Sequence, residues 1–472
     1  MTKQKMINPK RLFSKIDMTE GVPWKKLALF AVPLIIGNLF QQFYSIADAI
    51  ILGRYIGDDA LAAVGSSMPL LFLILVLMMG ISIGVSIMVS QYFGARKREE
   101  LSYTIGNGIT LTAILGGILM IIGPLVSRPL LLFLDTPYEI IDDSVMYMNI
   151  LMYGILGMAY FNILSGILRG LGDAFSPLLY LILTSILNVG FNYLFIGVLG
   201  WGMPAVAVGT VVSQGISSLL CLRKLMQMRD TFDLKPKYLK LKEEYTGQTL
   251  RLGVPAGASQ AVIALAAMVV QPLVNSFGTE VIATNVIVMR IDGLVLMPIF
   301  SFGNAMTVFA GQNMGAGKID RIVQGTKQGV IMAAGTAAFL VAIILLFGRF
   351  IANMFTNTQE VIDLSQVMLR ILSPGFIVFS IAMLLWGAVR GAGDATSPMW
   401  ASFVNTIVIR IPAAYFFVWL TDRPEALVLS MATAWTVNMF LAIIIYRKGA
   451  WKTKGIVKQQ KEPPPNENED SS

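Results

Sequence analysis

Long apolar runs separated by short polar segments make up most of this chain. Twelve runs are present, at about residues 27–52, 61–90, 101–126, 144–168, 176–199, 204–222, 252–277, 281–310, 323–347, 362–389, 398–420 and 426–446. Each has about the 20 residues that an α-helix needs to cross a bilayer. The pattern therefore predicts an all-α integral membrane protein with twelve transmembrane helices, which we call spans 1 to 12.

Polar segments divide the twelve spans into two groups of six. Residues 1–26 form a basic leader, and residues 223–251, with eight Lys or Arg, separate span 6 from span 7. Residues 447–472 form a polar tail with a composition typical of disorder. We expect an N-terminal lobe at 27–222, a linker at 223–251 and a C-terminal lobe at 252–446.

A nine-residue segment occurs twice in the chain. Arg169–Pro177 and Arg390–Pro398 agree at seven of nine positions and lie 221 residues apart (398 − 177). The same offset carries Gln91–Ala95 onto Gln312–Ala316. Because each copy contains six spans, both halves cross the membrane in the same direction, which makes a parallel repeat. We expect two six-helix lobes around a central cavity, which is the geometry of an alternating-access carrier.

Each copy of the repeated segment, with the pattern Arg-Gly-x-Gly-Asp-Ala-x-Ser-Pro, joins two spans. Its Gly residues permit a tight turn, Asp and Ser can cap the next helix, and Pro suits the first turn of a helix. We interpret the two segments as structural corners or gating contacts rather than as a substrate site.

The basic charge of the chain is explained by its topology. The formal net charge is +8, and of 36 Lys and Arg residues 29 lie in the leader, the tail, the linker and the loops on one side. The opposite loops hold only four. By the positive-inside rule, both termini are expected in the cytoplasm of a multi-pass inner-membrane protein, with membrane lipids and not nucleic acid as the partner.

No set of side chains suggests an enzyme. The residues around Gly317-Lys318 do not fit a phosphate-binding loop, and no nucleophile, base and orienting acid can be grouped. The single Cys221 excludes an internal disulfide, and the absence of His leaves proton chemistry to carboxylates. We expect no cofactor, and transport driven by an ion gradient.

Asp48 is a carboxylate deep inside span 1. Asn38, Gln41, Ser45 and Asp48 fall within about 80° of one another on a helix, so they form one polar stripe. A carboxylate in hydrocarbon costs several kcal/mol unless it is protonated, paired or hydrated, so we expect the stripe to face the lobe interior. The structural alternative is a hydrogen bond that only joins helices. Pro33, earlier in span 1, is a candidate hinge or a passive kink.

Polar side chains on spans 4, 5 and 6 are candidate partners of Asp48: Asn162, Asn188, Asn192 and Thr210. Their oxygens can coordinate Na⁺ or shelter a protonated carboxyl group, and ordinary interhelical hydrogen bonding is the alternative. In the second half the position of Asp48 is taken by Val269 or Val270, so ion coupling is expected in the N-terminal lobe.

The C-terminal lobe carries a different polar set. Asp292 lies on span 8 near Arg290, and Arg410 lies on span 11. We favour a structural ion pair for Asp292 over a coupling or substrate site, because basic partners are present in the same lobe.

Together these features resemble the multidrug and toxic compound extrusion (MATE) family. They are the two parallel six-span halves, Val32-Pro33 and Val254-Pro255, Asp48 followed by Gly53-Arg54, Gln91–Ala95 and the doubled Arg-Gly-x-Gly-Asp segment. The resemblance covers about residues 25–446. It implies export of small organic, often cationic, compounds in exchange for inward H⁺ or Na⁺.

In the bacterial and archaeal branch, the resemblance implies a cation site on Asp48, Asn162, Asn188 and Thr210. The second carboxylate of that branch on span 5 is Asn192 here, which is compatible with a proton carried by Asp48. A lipid-linked sugar flippase is the alternative transporter, and it would need a strongly basic cavity. A non-transporting membrane scaffold is the third hypothesis. We expect a monomer with no metal other than Na⁺ at the coupling residues.

Overall fold

A computed structural model describes residues 15–457 of the 472-residue chain, apart from the side chains of residues 45, 49, 58, 59 and 61. Within this range the regular structure is entirely helical. Among residues 15–457, eleven helices are long and apolar enough to cross a membrane, and a bent pair of shorter helices makes a twelfth when it is counted as one span. The all-α membrane architecture predicted from the apolar runs is confirmed.

The N-terminal lobe contains Pro23–Tyr55 (span 1), Asp58–Gly94 (span 2), Arg98–Phe133 (span 3), Ile141–Tyr153 with Ile155–Gly170 (span 4), Phe175–Asn192 with the π-helical Tyr193–Val198 (span 5) and Pro204–Met226 (span 6). The C-terminal lobe contains Glu243–Asn275 (span 7), Thr279–Gly315 (span 8), Ile319–Asn353 (span 9), Gln359–Gly391 (span 10), Thr396–Phe403 with the π-helical Val404–Arg410 and Ile411–Thr421 (span 11) and Glu425–Lys448 (span 12). A short helix, Pro236–Leu239, lies between the lobes.

Two kinds of irregularity were not visible in the apolar pattern. Span 4 bends by 52° at Gly154, where an added Cβ would lie 2.2 Å from the Val211 side chain of span 6. Spans 5 and 11 each contain a π-helical segment. Hydropathy does not reveal either feature, because the residues on both sides of a bend or a π turn remain apolar.

Parts of the polar segments pack against the helices or extend them. Residues 243–251, assigned to the linker, form the first turns of span 7. In the leader, Met18 is fully buried, and in the tail Trp451 is 1% exposed and stacks on Tyr446. These two apolar anchors hold short stretches of otherwise polar chain against the helices. Residues 1–14 and 458–472, the rest of the leader and of the predicted disordered tail, lie outside the described residues.

Both ends of the described chain pack on one face of the bundle, which we call the terminal face. The Ile16 amide donates to Gly172 O (3.0 Å), beyond the end of span 4, and the Ile456 amide donates to Gln91 Oε1 (2.8 Å), near the end of span 2. A chain that crosses a membrane an even number of times begins and ends on the same side, and the two described ends agree with this.

The lobes meet where glycines let helix backbones touch. A Cβ on Gly80 of span 2 would lie 2.6 Å from Gly253 O of span 7, and a Cβ on Gly253 would lie 2.8 Å from Gly80 O. Small residues allow this close approach between membrane helices. The contact lies in the halves of both spans that are nearer the terminal face.

The repeated segments form the helix-capping corners that their sequence predicts. Gly172 and Gly393 have positive φ angles of 87° and 102°. Asp173 Oδ1 accepts a hydrogen bond from the Ser176 amide (2.9 Å), and Asp394 makes the matching contact with Ser397. Each Asp therefore satisfies an amide in the first turn of the helix that follows.

Candidate ion-coupling site

The carboxyl group of Asp48 lies between spans 1 and 5. Asn192, which is 1% exposed, donates a hydrogen bond from Nδ2 to Asp48 Oδ1. Tyr44, one helical turn before Asp48, hydrogen-bonds to the same carboxyl group. Asp48 is thus satisfied by polar side chains of its own helix and of span 5, as the low polarity of a membrane interior requires.

Asn188 connects this pair to span 6. It lies four residues before Asn192 on the same helix face, and its Oδ1 accepts from Asn192 Nδ2 (3.0 Å). Asn188 Nδ2 donates to Thr210 Oγ1 (3.2 Å), and the Thr210 hydroxyl donates to Val206 O (3.0 Å). One chain of hydrogen bonds therefore runs from span 1 through span 5 to span 6.

The Asn188 amide can be placed in two orientations around the same atoms. In the first, its oxygen lies 3.0 Å from Asp48 Oδ1, and two oxygens at this distance form a hydrogen bond only if one of them carries a proton. In the second, the amide nitrogen donates to Asp48 Oδ1 (3.0 Å) and the amide oxygen accepts from the Thr210 hydroxyl (3.2 Å). A protonated Asp48 is compatible with the first orientation, in which Asn188 Nδ2 also faces the Thr210 backbone nitrogen (3.1 Å). A carboxylate is compatible with the second, in which the amide oxygen accepts from that nitrogen and the amide nitrogen faces Asn192 Nδ2 (3.0 Å).

Asn162 and Asn38 have other hydrogen-bond partners. The Asn162 amide donates to Met158 O of its own helix (2.9 Å), and no described contact links it to Asp48. Asn38 donates instead to Ser301 Oγ of span 8 (3.1 Å), across the lobe boundary, and Gln41 is exposed. The side chain of Ser45 lies outside the described part.

The two ends of the predicted polar stripe on span 1 meet different helices, with Asn38 against span 8 and Asp48 against span 5. Asn38 and Asp48 are about 80° apart around the helix, and each meets a different neighbouring helix. Tyr44 is the contact that the sequence reading missed. Its position four residues before Asp48 was the available signal, because residues at that spacing share a helix face.

The side chains around Asp48 offer few ligands for a cation. Within residues 15–457, no group of three or more His, Cys, Asp and Glu could hold a metal ion. A Na⁺ ion would have to use the single carboxylate of Asp48 with amide and hydroxyl oxygens. Asn192 Oδ1 is buried without a hydrogen-bond partner, so one such oxygen is free to serve.

The ion pair expected for Asp292 is not formed. Asp292 is 6% exposed and its Oδ1 is buried without a partner, and in the described part no basic nitrogen lies within 4.0 Å of its carboxylate. Arg290 is exposed. The positive charge of Arg410 has an electrostatic effect on Asp292. The Arg410 side chain nevertheless points its Nη2 at the Met431 sulfur (3.9 Å). Asp292 on span 8 and Arg410 on span 11 therefore form no direct ion pair.

Comparisons with known proteins agree with this architecture. A family model described as MatE matches residues 33–194 and 255–416, one match in each lobe. The probable multidrug resistance protein YoeA of Bacillus subtilis is 30% identical over 456 residues, which cover 92% of this chain and 96% of YoeA. The probable multidrug resistance protein NorM of Thermotoga maritima is 25% identical over 464 residues, covering 95% of this chain and 98% of NorM.

Solved structures share the complete two-lobe fold. A crystal structure of MATE in complex with MaL6 has a TM-score of 0.88 at 25% identity, covering 93% of this chain and 99% of that chain. A transporter of the MOP superfamily from Pyrococcus furiosus has a TM-score of 0.87 at 25% identity, with the same coverage of 93% and 99%. Because the family matches span both lobes and the relatives align over nearly their whole length, this chain belongs to the MatE family of membrane efflux transporters and is not an enzyme.

Proposed function

We propose that this protein is a secondary active multidrug exporter that exchanges small organic, often cationic, compounds for an inward-moving ion by alternating access. The relatives named as multidrug resistance proteins support the substrate class. The large apolar surface, with Phe133 82% and Trp419 78% exposed, supports lipid as the direct surrounding of a monomer. The excess of basic residues on the side of the termini supports a cytoplasmic terminal face.

The observation that carries the proposal is the set of contacts around Asp48. With the proton on Asp48, the first amide orientation keeps the side-chain hydrogen bonds that link Asp48, Asn192, Asn188 and the Thr210 hydroxyl. Without the proton, the Asn188 amide has to turn to keep Asp48 satisfied. Gain or loss of one proton at Asp48 thus changes the hydrogen bonds that join spans 1, 5 and 6.

The proton is favoured over Na⁺ because Asp48 is the only carboxylate in the described contacts of this site. Bound Na⁺ would leave two amides and a hydroxyl to complete its shell. A proton needs only one acceptor, and Asn188 Oδ1 supplies it.

The transport cycle follows from these contacts. Protonation of Asp48 in the outward-open state turns the Asn188 amide and shifts span 1 relative to spans 5 and 6. This lowers the affinity of the cavity for the substrate, which leaves. The lobes then rock, the proton departs to the cytoplasm, and the carboxylate state binds the next substrate. Pro33, which is buried inside span 1, is the hinge that would allow this shift.

Efflux of a fluorescent organic cation from everted membrane vesicles tests the proposal, with H⁺ and Na⁺ gradients imposed separately on the wild type and on Asp48→Asn. We expect efflux driven by the H⁺ gradient, lost in Asp48→Asn at equal expression. Asp363→Asn is the matched control, since Asp363 lies on the surface in an exposed ion pair with Arg349 (2.8 Å), and it should retain efflux.

Other outcomes identify the alternatives. Efflux that is driven only by the Na⁺ gradient and lost in Asp48→Asn would make Na⁺ the coupling ion at these residues. Efflux that is unchanged in Asp48→Asn would contradict coupling at this site. No efflux under either gradient would favour the lipid-linked sugar flippase, although Arg290 and Arg370 of the spans are exposed and form no basic cluster with Arg410 in the described contacts. A protein that moves neither drugs nor lipid-linked sugars, and whose stability is unchanged in Asp48→Asn, would favour the non-transporting scaffold.

A further inference from the structure

Gln312 joins the two lobes at the terminal face. It is fully buried near the end of span 8, in the C-terminal lobe. Its Nε2 donates to Gly170 O of span 4 (3.0 Å), in the N-terminal lobe, and its Oε1 accepts from the Met18 amide of the leader (2.9 Å). One amide therefore connects two spans from different lobes and the N-terminal segment.

Gln91 makes the same contacts from the opposite lobe. It is fully buried near the end of span 2. Its Nε2 donates to Gly391 O of span 10 (2.9 Å), and its Oε1 accepts from the Ile456 amide of the C-terminal segment (2.8 Å). Gln91 and Gln312 occupy equivalent positions of the sequence repeat, so the two sets of contacts are related by the pseudo-two-fold axis of the protein.

The glycine that follows each glutamine by three residues completes this arrangement. A Cβ on Gly94 would lie 1.9 Å from Gln312 O, and a Cβ on Gly315 would lie 1.8 Å from Gln91 O. Spans 2 and 8 therefore cross with their backbones in contact, each glycine against the glutamine of the other lobe. The Gln-x-x-Gly pattern in both repeats is explained by this crossing, since residues three apart share a helix face.

The first and last described segments, residues 15–22 and 449–457, cross the lobe boundary at the same place, and we call them straps. The segment 15–22 bonds to Gly172 in the N-terminal lobe, and in the C-terminal lobe the Arg321 and Asn313 side chains donate to Met18 O (both 3.1 Å). The segment 449–457 passes Gly393 of the C-terminal lobe, where an added Cβ would lie 2.5 Å from Lys454 O, before it reaches Gln91. Each glutamine thus holds one strap and the opposite lobe at once.

We propose that Gln91 and Gln312 are the positioning residues of a two-fold gate that closes the terminal face, and that both must release their Gly carbonyl and their strap before substrate can enter from that side. The inference rests on the alternating access proposed above. It assigns a role in transport to two buried residues whose described hydrogen bonds go to the opposite lobe and to the segments 15–22 and 449–457, not to the ion site. The segments 15–22 and 449–457 become moving parts of the gate.

A buried reporter cysteine measures the opening. Ser90 is fully buried on span 2 and faces Gly311 of span 8, where an added Cβ would lie 2.0 Å from Ser90 Oγ. Ser90→Cys in a Cys221→Ala background changes one atom at the reporter position and leaves no other cysteine. The rate at which a maleimide labels this cysteine in the purified full-length protein reports how often the lobes separate at the terminal face.

We expect Gln312→Met, which has a similar shape but cannot make either bond, to raise the labelling rate at position 90 about tenfold or more, because two buried hydrogen bonds are lost. Gln91→Met should do the same, and the double variant should be faster still. Gln312→Asn, which keeps the amide but not its reach, serves if the Met variant does not fold. The control is Gln271→Met, an exposed residue whose amide bonds to Asn275 within span 7 (2.9 Å).

Cys221 distinguishes a gate from a general loss of stability. It is fully buried on span 6, beside Ser165 of span 4, so both contacting side chains belong to the N-terminal lobe. In the protein that retains Cys221 but not the reporter, the glutamine variants should leave Cys221 unlabelled. Equal acceleration at Cys221, or no acceleration at position 90 in any folded glutamine variant, would overturn the proposal. Labelling uses neither a gradient nor a drug, so failure of ion coupling would not change this result.

Discussion

Asn192 donates a hydrogen bond to Asp48, which lies 144 residues earlier in the chain. The contact joins span 5 to span 1 inside the N-terminal lobe and holds the carboxyl group that the proposed coupling needs. At this position an amide can accept or donate without carrying charge, so Asp48 keeps a partner in either protonation state. A carboxylate at position 192 would instead repel Asp48 when both are ionised.

The first prediction is that Asn192→Asp changes the ion that the protein prefers. Two carboxylates in one buried site share a proton or bind a cation. We expect the variant to be stabilised by Na⁺ relative to K⁺, by about 2.7 kcal/mol when Na⁺ reaches a hundred times its dissociation constant. Thermal unfolding of the purified protein in the two salts measures the shift.

Asn162→Asp is the control for that experiment. It introduces the same charge on span 4, where the native amide bonds to Met158 O of its own helix (2.9 Å) and makes no described contact with Asp48. A Na⁺-specific stabilisation of Asn162→Asp alone would move the cation site from span 5 to span 4. Absence of any Na⁺ effect in Asn192→Asp would show that geometry, and not the number of carboxylates, excludes Na⁺.

The second prediction concerns Asp292, whose Oδ1 is buried without a hydrogen-bond partner. Breaking a buried ion pair by removing one charge typically costs about 3–5 kcal/mol. Because no basic group contacts Asp292 within 4.0 Å in the described part, we expect Asp292→Asn to leave the unfolding temperature unchanged or to raise it. Thermal unfolding in detergent provides the measurement.

Asp394→Ala calibrates the same assay. Asp394 accepts hydrogen bonds from the amide and the hydroxyl of Ser397 (3.1 and 2.7 Å), so its loss should cost about 1 kcal/mol, the typical contribution of a helix cap. A larger loss of stability in Asp292→Asn than in Asp394→Ala would mean that Asp292 does form an ion pair in the membrane.

The fold was predictable from the sequence and the site only in part, for different physical reasons. Hydropathy gives each span, because a helix in lipid must be apolar along about 20 residues. The partner of Asn38 could not be predicted, since Ser301 lies in the other lobe and is reached only through the crossing of spans 1 and 8. The repeat did identify Gln91 and Gln312, but their contact with the chain ends depends on Met18 and Ile456, which no repeat marks.

The third prediction tests the crossing of spans 2 and 8. Gly94→Ala and Gly315→Ala would place a methyl group less than 2 Å from a backbone oxygen of the opposite lobe (1.9 and 1.8 Å). We expect each variant to hold the lobes apart at the terminal face, with efflux abolished and fast labelling at position 90. Backbone atoms cannot move aside as a flexible side chain can, so the effect should be large.

Gly117→Ala and Gly335→Ala are the matched controls for the crossing. Both glycines lie inside long helices, and an added Cβ would meet nothing within 4 Å. Each should be neutral or more stable by about 0.5–1 kcal/mol, since alanine is the better helix residue. Efflux by Gly94→Ala at the level of these controls would show that the crossing opens without passing through the observed contact.

The last prediction concerns Pro33, which is buried inside span 1 and lines a small cavity with Ile16 of the leader and residues 172–175. Proline removes one backbone hydrogen bond and lets a helix bend at that point. Pro33→Ala restores the bond and should stiffen span 1 between Asp48 and the terminal face. We expect drug binding to be retained while gradient-driven efflux falls about tenfold, which corresponds to about 1.4 kcal/mol in the barrier.

Pro255→Ala in span 7 is the control, because that helix also contains a proline but has valine where span 1 has Asp48. Equal losses in the two variants would indicate that both prolines serve lobe packing, and a fully active Pro33→Ala would make the kink a passive feature of the fold.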